Sequence, residues 1–199
     1  MIRILLIRHG STDLLGRVLC GRLPGIHLNS EGLRQAAILG EVLKQRYSLD
    51  AIVSSPLERA IETARPIAEA QNKSVLIEPR LTEIDFGNWV GKSFDELHGC
   101  DEWQDFNRQR SLRNAPGGES MTEVQSRSWR AIETFTATLE DGSTIAFVSH
   151  GDVIRCLLLL FLGMSIDHIH RLEVAPSSIS EIVLGKHDPL VKHVNQIFY

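Results

Sequence analysis

The chain is short of cysteine, of net charge and of long hydrophobic runs. Three cysteines, Cys20, Cys100 and Cys156, are spread over 199 residues with no CxxC pair. That odd count and spacing argue against a disulfide framework and a zinc site, and point to a reducing compartment, the cytoplasm. Formal net charge is −4, so no global basic field draws in nucleic acid or an anionic membrane. The longest apolar run, Cys156 to Leu162, is far too short to span a bilayer of about 30 Å. The opening residues lack the charged-then-apolar order of a signal peptide. No internal repeat and no low-complexity segment interrupts the chain. What is present is 43% hydrophobic and 23% charged residues, an ordinary soluble composition at a length that suits one domain, 1–199, with a real core.

The segment Ile2 to Ile7 is apolar except for Arg3, rich in β-branched residues and closed by Gly10. It reads as a buried strand, with Arg8 and His9 where it stops. The loop Ser11 to Asn29 that follows carries Arg17, Arg22 and His27. Ser30 can cap a helix to about Tyr47 with Leu33, Ala36, Ala37, Val42 and Leu43 inward. Ala51–Val53 is a short strand. Ser55-Pro56-Leu57-Glu58 predicts a helix start with Ser55 as cap and Pro56 in first position, the helix running to about Gln71. Val75–Ile77 is a further strand. Residues 79–120 form an insertion or lid, with short helices over Ser93–His98 and Glu102–Arg108 and most of the aromatics. Those aromatics can build a small core of their own or a pocket for an organic group. Ser120 and Glu123 form a capping box opening a helix to about Leu139. Thr144–Val148 is a buried strand followed by Ser149-His150-Gly151. A helix over Val153–Leu162 and strands over Ile179–Leu184 and Val191–Phe198 complete the chain. Strands alternating with helices predict an α/β fold, three layers α/β/α around a mostly parallel central sheet.

His9 and His150 each follow a short buried strand and each precede a glycine. In an open α/β sheet such strand ends share the edge where ligands bind. Arg8 and Arg59 would join them there. Any one of these residues could be an ordinary surface or core side chain; four converging at strand and helix ends describe a site for a phosphate dianion, which paired guanidinium donors suit.

At these motifs the chain resembles the histidine phosphatase superfamily, the phosphoglycerate mutase-like family. The resemblance rests on Leu6-Ile7-Arg8-His9-Gly10, Ser54-Ser55-Pro56-Leu57-Glu58-Arg59-Ala60, Glu83-Ile84-Asp85-Phe86-Gly87-Asn88-Trp89-Val90-Gly91, Pro116-Gly117-Gly118-Glu119-Ser120 and Val148-Ser149-His150-Gly151. It implies that His9 is the nucleophile that becomes phosphohistidine. It implies that Arg8, Arg59 and His150 bind the phosphoryl oxygens, with Gly151 beside them, and that Glu83 is the proton donor. Asp85, two residues on, is a competitor that an extended backbone would turn the other way. Glu78 and Glu119 read as solvated or capping groups, and His168 and His170 as surface residues. Ser11, Arg22 and His27 are expected as substrate contacts. Many relatives carry Glu and Asn where this chain has Ser11 and Leu15, so a phosphate contact is missing here or comes from elsewhere, with Ser11 or Thr12 able to offer a hydroxyl.

The implied activity is a metal-independent phosphomonoesterase, without a cofactor, acting on a small phosphorylated metabolite such as α-ribazole phosphate, phosphoserine or a sugar phosphate. A cofactor-dependent phosphoglycerate mutase is the alternative, and a non-catalytic phosphate-binding member a third. An exposed edge strand or an apolar insertion would support a homodimer.

Overall fold

The computed structural model describes residues 1–186 and 188–199. Six strands form one sheet: β1 (Ile2–Arg8), β2 (Ala51–Ser54), β3 (Val75–Ile77), β4 (Thr144–Ser149), β5 (Ile179–Leu184) and β6 (Leu190–Gln196). Their spatial order is β3-β2-β4-β1-β5-β6; the first four are parallel, β5 runs antiparallel to β1, and β6 runs antiparallel to β5. The six α-helices are α1 (Ser30–Arg46), α2 (Glu58–Ala70), α3 (Phe94–His98), α4 (Asp101–Arg108), α5 (Met121–Thr136) and α6 (Gly151–Phe161).

The sheet is apolar on both faces because each face is covered. Along β1, Leu5 and Ile7 point to α1 and α2, while Ile4 and Leu6 point to α5 and α6. This is the three-layer α/β/α arrangement, and it explains why β1 reads as a continuous apolar run rather than an alternating one. The second core also takes in Phe86, Trp89, Trp103 and Phe106. Trp89 meets Trp103 edge-on at 5.2 Å between ring centroids, and Phe106 at 5.3 Å. The aromatics of residues 79–120 are thus chiefly core, continuous with the main one.

Two helix starts differ from expectation. Asn29, not Ser30, caps α1, its Oδ1 accepting from the Gly32 amide at 2.9 Å. α2 begins at Glu58, and its cap Leu57 has no side-chain bond. Ser55 is still held in the sheet, its amide donating to the Val148 carbonyl at 2.9 Å, so it cannot turn to cap a helix. The Ser120–Glu123 capping box of α5 forms as expected. No described helix is long and apolar enough to cross a membrane.

The loop between β1 and α1 is stitched to residues 91–94. Leu19 donates to Lys92, Gly91 to Leu19 and Phe94 to Arg17, all backbone to backbone. Loop and insertion therefore stand as one wall above the strand ends.

Candidate active site

β1 and β4 lie side by side with Arg8 opposite Ser149. The next residue of each strand is a histidine, so the register alone brings His9 and His150 together. Their ring centroids are 5.2 Å apart. From these neighbouring strands the chain leaves to opposite faces, towards α1 and towards α6. That divergence opens the crevice in which doubly wound folds bind ligands.

His9 is buried, with its Nδ1 2.8 Å from the Gly10 carbonyl. A carbonyl can only accept, so Nδ1 carries the ring proton and Nε2 keeps its lone pair. Burial pushes the His9 pKa well below the usual imidazole range, and Arg59 and Arg8 push it further; the Gly10 bond opposes them weakly. His150 is fully buried, its Nε2 2.7 Å from Ser55 Oγ. Its pKa is likewise depressed by burial, then by Arg59 and His9. The Ser55 hydroxyl, expected to cap α2, holds this histidine and accepts from the Leu57 amide only at 3.4 Å.

Arg8 donates from Nη1 to the Val174 carbonyl at 2.6 Å. Its guanidinium packs against Gly151, where a Cβ would stand 3.4 Å from its Cζ and Nε. Arg59, buried, donates from Nη2 to the Gly21 carbonyl at 2.8 Å. Arg8 Nε, Arg59 Nη1 and His150 Nδ1 are buried and find no hydrogen-bond partner among the described residues. Buried polar groups are nearly always paired, so the arginine donors left over on the cavity wall mark a place for an acceptor. The amino end of α6 opens at the same place, with Gly151 on the cavity surface.

Glu83 enters the cavity from the insertion. Burial raises its carboxyl pKa, the Asp152 carboxylate raises it further, and Arg59 and Arg8 oppose both. Asp85 turns away, as an extended backbone predicts: its Oδ1 accepts from the Gly87 amide at 2.9 Å and it does not line the cavity. The acidic motif is fixed by the Pro116-Gly117-Gly118 segment. A Cβ on Gly118 would fall 2.2 Å from the Asp85 carbonyl oxygen, so only glycine lets the two backbones close.

Three expected substrate contacts lie elsewhere. Ser11 is tied by its amide to Gln35 Oε1 at 3.0 Å. His27 is exposed and paired with Glu62 at 2.5 Å. Arg22 is engaged by the Glu83 carbonyl and the Glu119 carboxylate. None of the three lines the cavity, whereas Thr12 and Leu15 do.

The cavity measures about 230 Å³. Leu15, Val18, Leu19 and Ile26 from the loop and Phe94 and Trp103 from the insertion make an apolar wall. The same cavity has a polar part that sequence reasoning missed. Asp152 accepts from Arg110 Nη1 at 2.7 Å and Arg155 Nη1 at 3.0 Å, and Asn107 Oδ1 accepts from Arg110 Nη2 at 2.6 Å. His170 is exposed, as the sequence reading had it, and also borders the cavity with Nε2 2.9 Å from Asn107 Oδ1. Asp152 and Arg155 had a signal, since they sit one and four residues beyond Gly151 on the first turn of a helix that opens on the site.

The profile of the histidine phosphatase superfamily, branch 1, matches residues 4–197. The chain belongs to that superfamily. Over 185 residues it is 37% identical to the "Bifunctional protein Rv2228c" of Mycobacterium tuberculosis, covering 89% of this chain and 49% of that protein. The chain thus spans about half the length of such mycobacterial relatives. It is 33% identical over 190 residues to a "Probable phosphoglycerate mutase GpmB" of Proteus mirabilis, covering 92% and 85%. Among solved histidine phosphatase folds, YhfR of Bacillus stearothermophilus superposes with a TM-score of 0.91 at 27% identity, over 100% of this chain and 98% of that one. A phosphoserine phosphatase of Entamoeba histolytica, in complex with 3-phosphoglyceric acid, superposes with a TM-score of 0.86 at 29% identity and 98% coverage of both chains.

Proposed function

We propose that the protein is a phosphoric monoester hydrolase that works through a phosphohistidine on His9. The observation that carries this is one cavity lined by a histidine with a free Nε2 and by two arginines with unpartnered buried donors, Arg8 Nε and Arg59 Nη1, with the His150 ring 5.2 Å from that of His9. The His9 lone pair attacks phosphorus and the ester P–O bond breaks. Glu83, whose carboxyl pKa burial raises above its ordinary value, gives its proton to the departing oxygen. Water then attacks phosphorus and the P–N bond breaks, returning the lone pair to Nε2. The Glu83 carboxylate takes the proton of that water. Phosphoryl transfer is catalysed chiefly by positioning and charge. Here the arginines and the amino end of α6 supply the positive charge, so no step needs a metal ion or a cofactor.

The cavity volume supports a small metabolite, with α-ribazole phosphate, phosphoserine and sugar phosphates as candidates. A lining that mixes apolar and polar side chains suits an organic group that carries both greasy and hydrogen-bonding parts. Unpaired cysteines support a reducing compartment, the cytoplasm.

The test is hydrolysis of p-nitrophenyl phosphate, with and without EDTA, by wild type and His9→Ala. EDTA-insensitive turnover and an acid-labile phosphoryl adduct on wild type, both lost in the variant, are expected. Similarity to GpmB favours a second reading, phosphoglycerate mutase, in which a substrate hydroxyl instead of water receives the phosphoryl group. Interconversion of phosphoglycerates faster than their hydrolysis would establish it. Phosphate binding with neither activity would leave a binding protein.

A further inference from the structure

We propose that Arg22, Glu119 and Arg127 form a clamp that sets the position of the Glu83 carboxyl, a role that rests on Glu83 being the proton donor described above. The Glu83 carbonyl accepts from Arg22 Nε at 2.9 Å and from Arg127 Nη2 at 3.2 Å, which occupies both of its lone pairs. Glu119 locks the two arginines to each other. Its Oε2 accepts from Arg22 Nη2 at 2.7 Å and Arg127 Nη2 at 3.0 Å, and its Oε1 from Arg127 Nε at 3.0 Å.

The same carboxylate accepts from the Asp85 amide at 3.1 Å, and Arg127 Nη1 donates to the Arg80 carbonyl at 2.6 Å. Backbone on both sides of Glu83 is therefore held. The paired, charge-assisted bond between Arg127 and Glu119 is of the strong, directional kind. Asp85, 3.8 Å from Arg22, makes the charge count even at two guanidiniums and two carboxylates.

The clamp matters because the Glu83 side chain has little else to direct it. Among the described residues its carboxyl makes one hydrogen bond, from the adjacent Ile84 amide at 3.0 Å. Its aim thus follows the backbone at 83 and 84. Arg22 also follows Gly21, whose carbonyl accepts from Arg59. One turn of the loop after β1 therefore joins the phosphate-binding arginine to the backbone of the acid. Arg22, Glu119 and Arg127 do not line the cavity, so they act through Glu83 and not on the substrate.

The clamp is tested by leaving-group dependence. A dinitrophenolate departs without a proton, whereas an alkoxide needs one, so misplacing the acid harms alkyl phosphates selectively. In Arg22→Ala, kcat/KM for an alkyl phosphate should fall by about tenfold or more relative to that for dinitrophenyl phosphate. The inhibition constant of inorganic phosphate should stay within about twofold of wild type, since the phosphate pocket is intact. Arg22→Lys keeps the charge but not the planar fork, so it should fall between, and its folding by circular dichroism guards against a collapsed Ala variant. Equal losses on both substrates, or a weakened phosphate constant, would overturn the clamp and return Arg22 to substrate or phosphate binding. Glu83→Gln separates the two levels: without a leaving-group effect there, the acid assignment itself falls.

Discussion

At the scale of single residues, environment rather than residue type assigns the roles. His9 and His150 are both strand-end histidines before a glycine, yet only His9 bonds a backbone carbonyl through Nδ1, which fixes its tautomer for attack. Glu83 and Asp85 are both carboxylates of one motif, and only Glu83 faces the cavity. Replacing Glu83 by Gln should lower kcat on alkyl phosphates by about 10²–10⁴-fold. It should also remove the basic limb of the pH profile, because that limb reports loss of the Glu83 proton. A steady-state pH series on both proteins checks this; an unchanged basic limb in the variant would place the acid elsewhere. Leu15 lines the same cavity as Arg8 and Arg59, whose Nε and Nη1 donors have no partner among the described residues.

At the scale of elements, the sequence was readable where apolar periodicity does the packing and misleading where small or polar residues do. α1 buries Gly32, Gln35, Ala36, Leu39, Gly40 and Leu43, a regular helical face. Reading only its apolar residues put Leu33 and Ala37 inside, but Leu33 is 54% exposed and Ala37 also faces solvent. The reason is the loop that passes over the start of the helix. A Cβ on Gly32 would fall 2.2 Å from the Ser11 carbonyl oxygen, and Gln35 holds the Ser11 amide. Gly32→Ala should therefore cost about 1–3 kcal/mol by urea unfolding, and it should slow turnover as well, since His9 lies two residues before Ser11. Full stability in that variant would show that the loop can move aside. Ser120→Ala, which removes a complete capping box, should cost about 1 kcal/mol in the same experiment.

At the scale of the whole molecule, stability and site are tied together by pH. His9 and His150 have folded-state pKa values depressed by burial. The unfolded chain therefore binds protons more readily below the ordinary imidazole value of about 6.5, and stability falls as pH drops through that region. Each histidine should contribute up to about 1.4 kcal/mol per pH unit. Glu83, raised by burial, works in the opposite sense: the stability it contributes below its ordinary value is lost as pH rises through its higher folded value. The depressed Asp152 carboxylate, which Arg110 and Arg155 hold ionised against the cost of burial, loses its contribution only in more acid solution. Urea midpoints at about pH 7.5 and 5.5 for wild type, His9→Gln and His150→Gln check the point. The slope should flatten in each variant, and equal slopes would show that neither histidine is the source. The sequence by itself determined the strands, most helices and the α/β class, and it pointed to Arg8, His9, Arg59, Glu83 and His150 as site candidates, because those signals are local: apolar runs, caps and short motifs at element ends. Only the tertiary structure decided the order β3-β2-β4-β1-β5-β6, the polar cavity lining of Asn107, Arg110, Asp152, Arg155 and His170, and the turning of Arg22 from substrate to the Glu83 backbone. Those depend on which distant backbones and side chains meet, and hydrogen bonds formed across 61 or 97 residues, as Arg22 makes to Glu83 and Glu119, leave no periodicity to read.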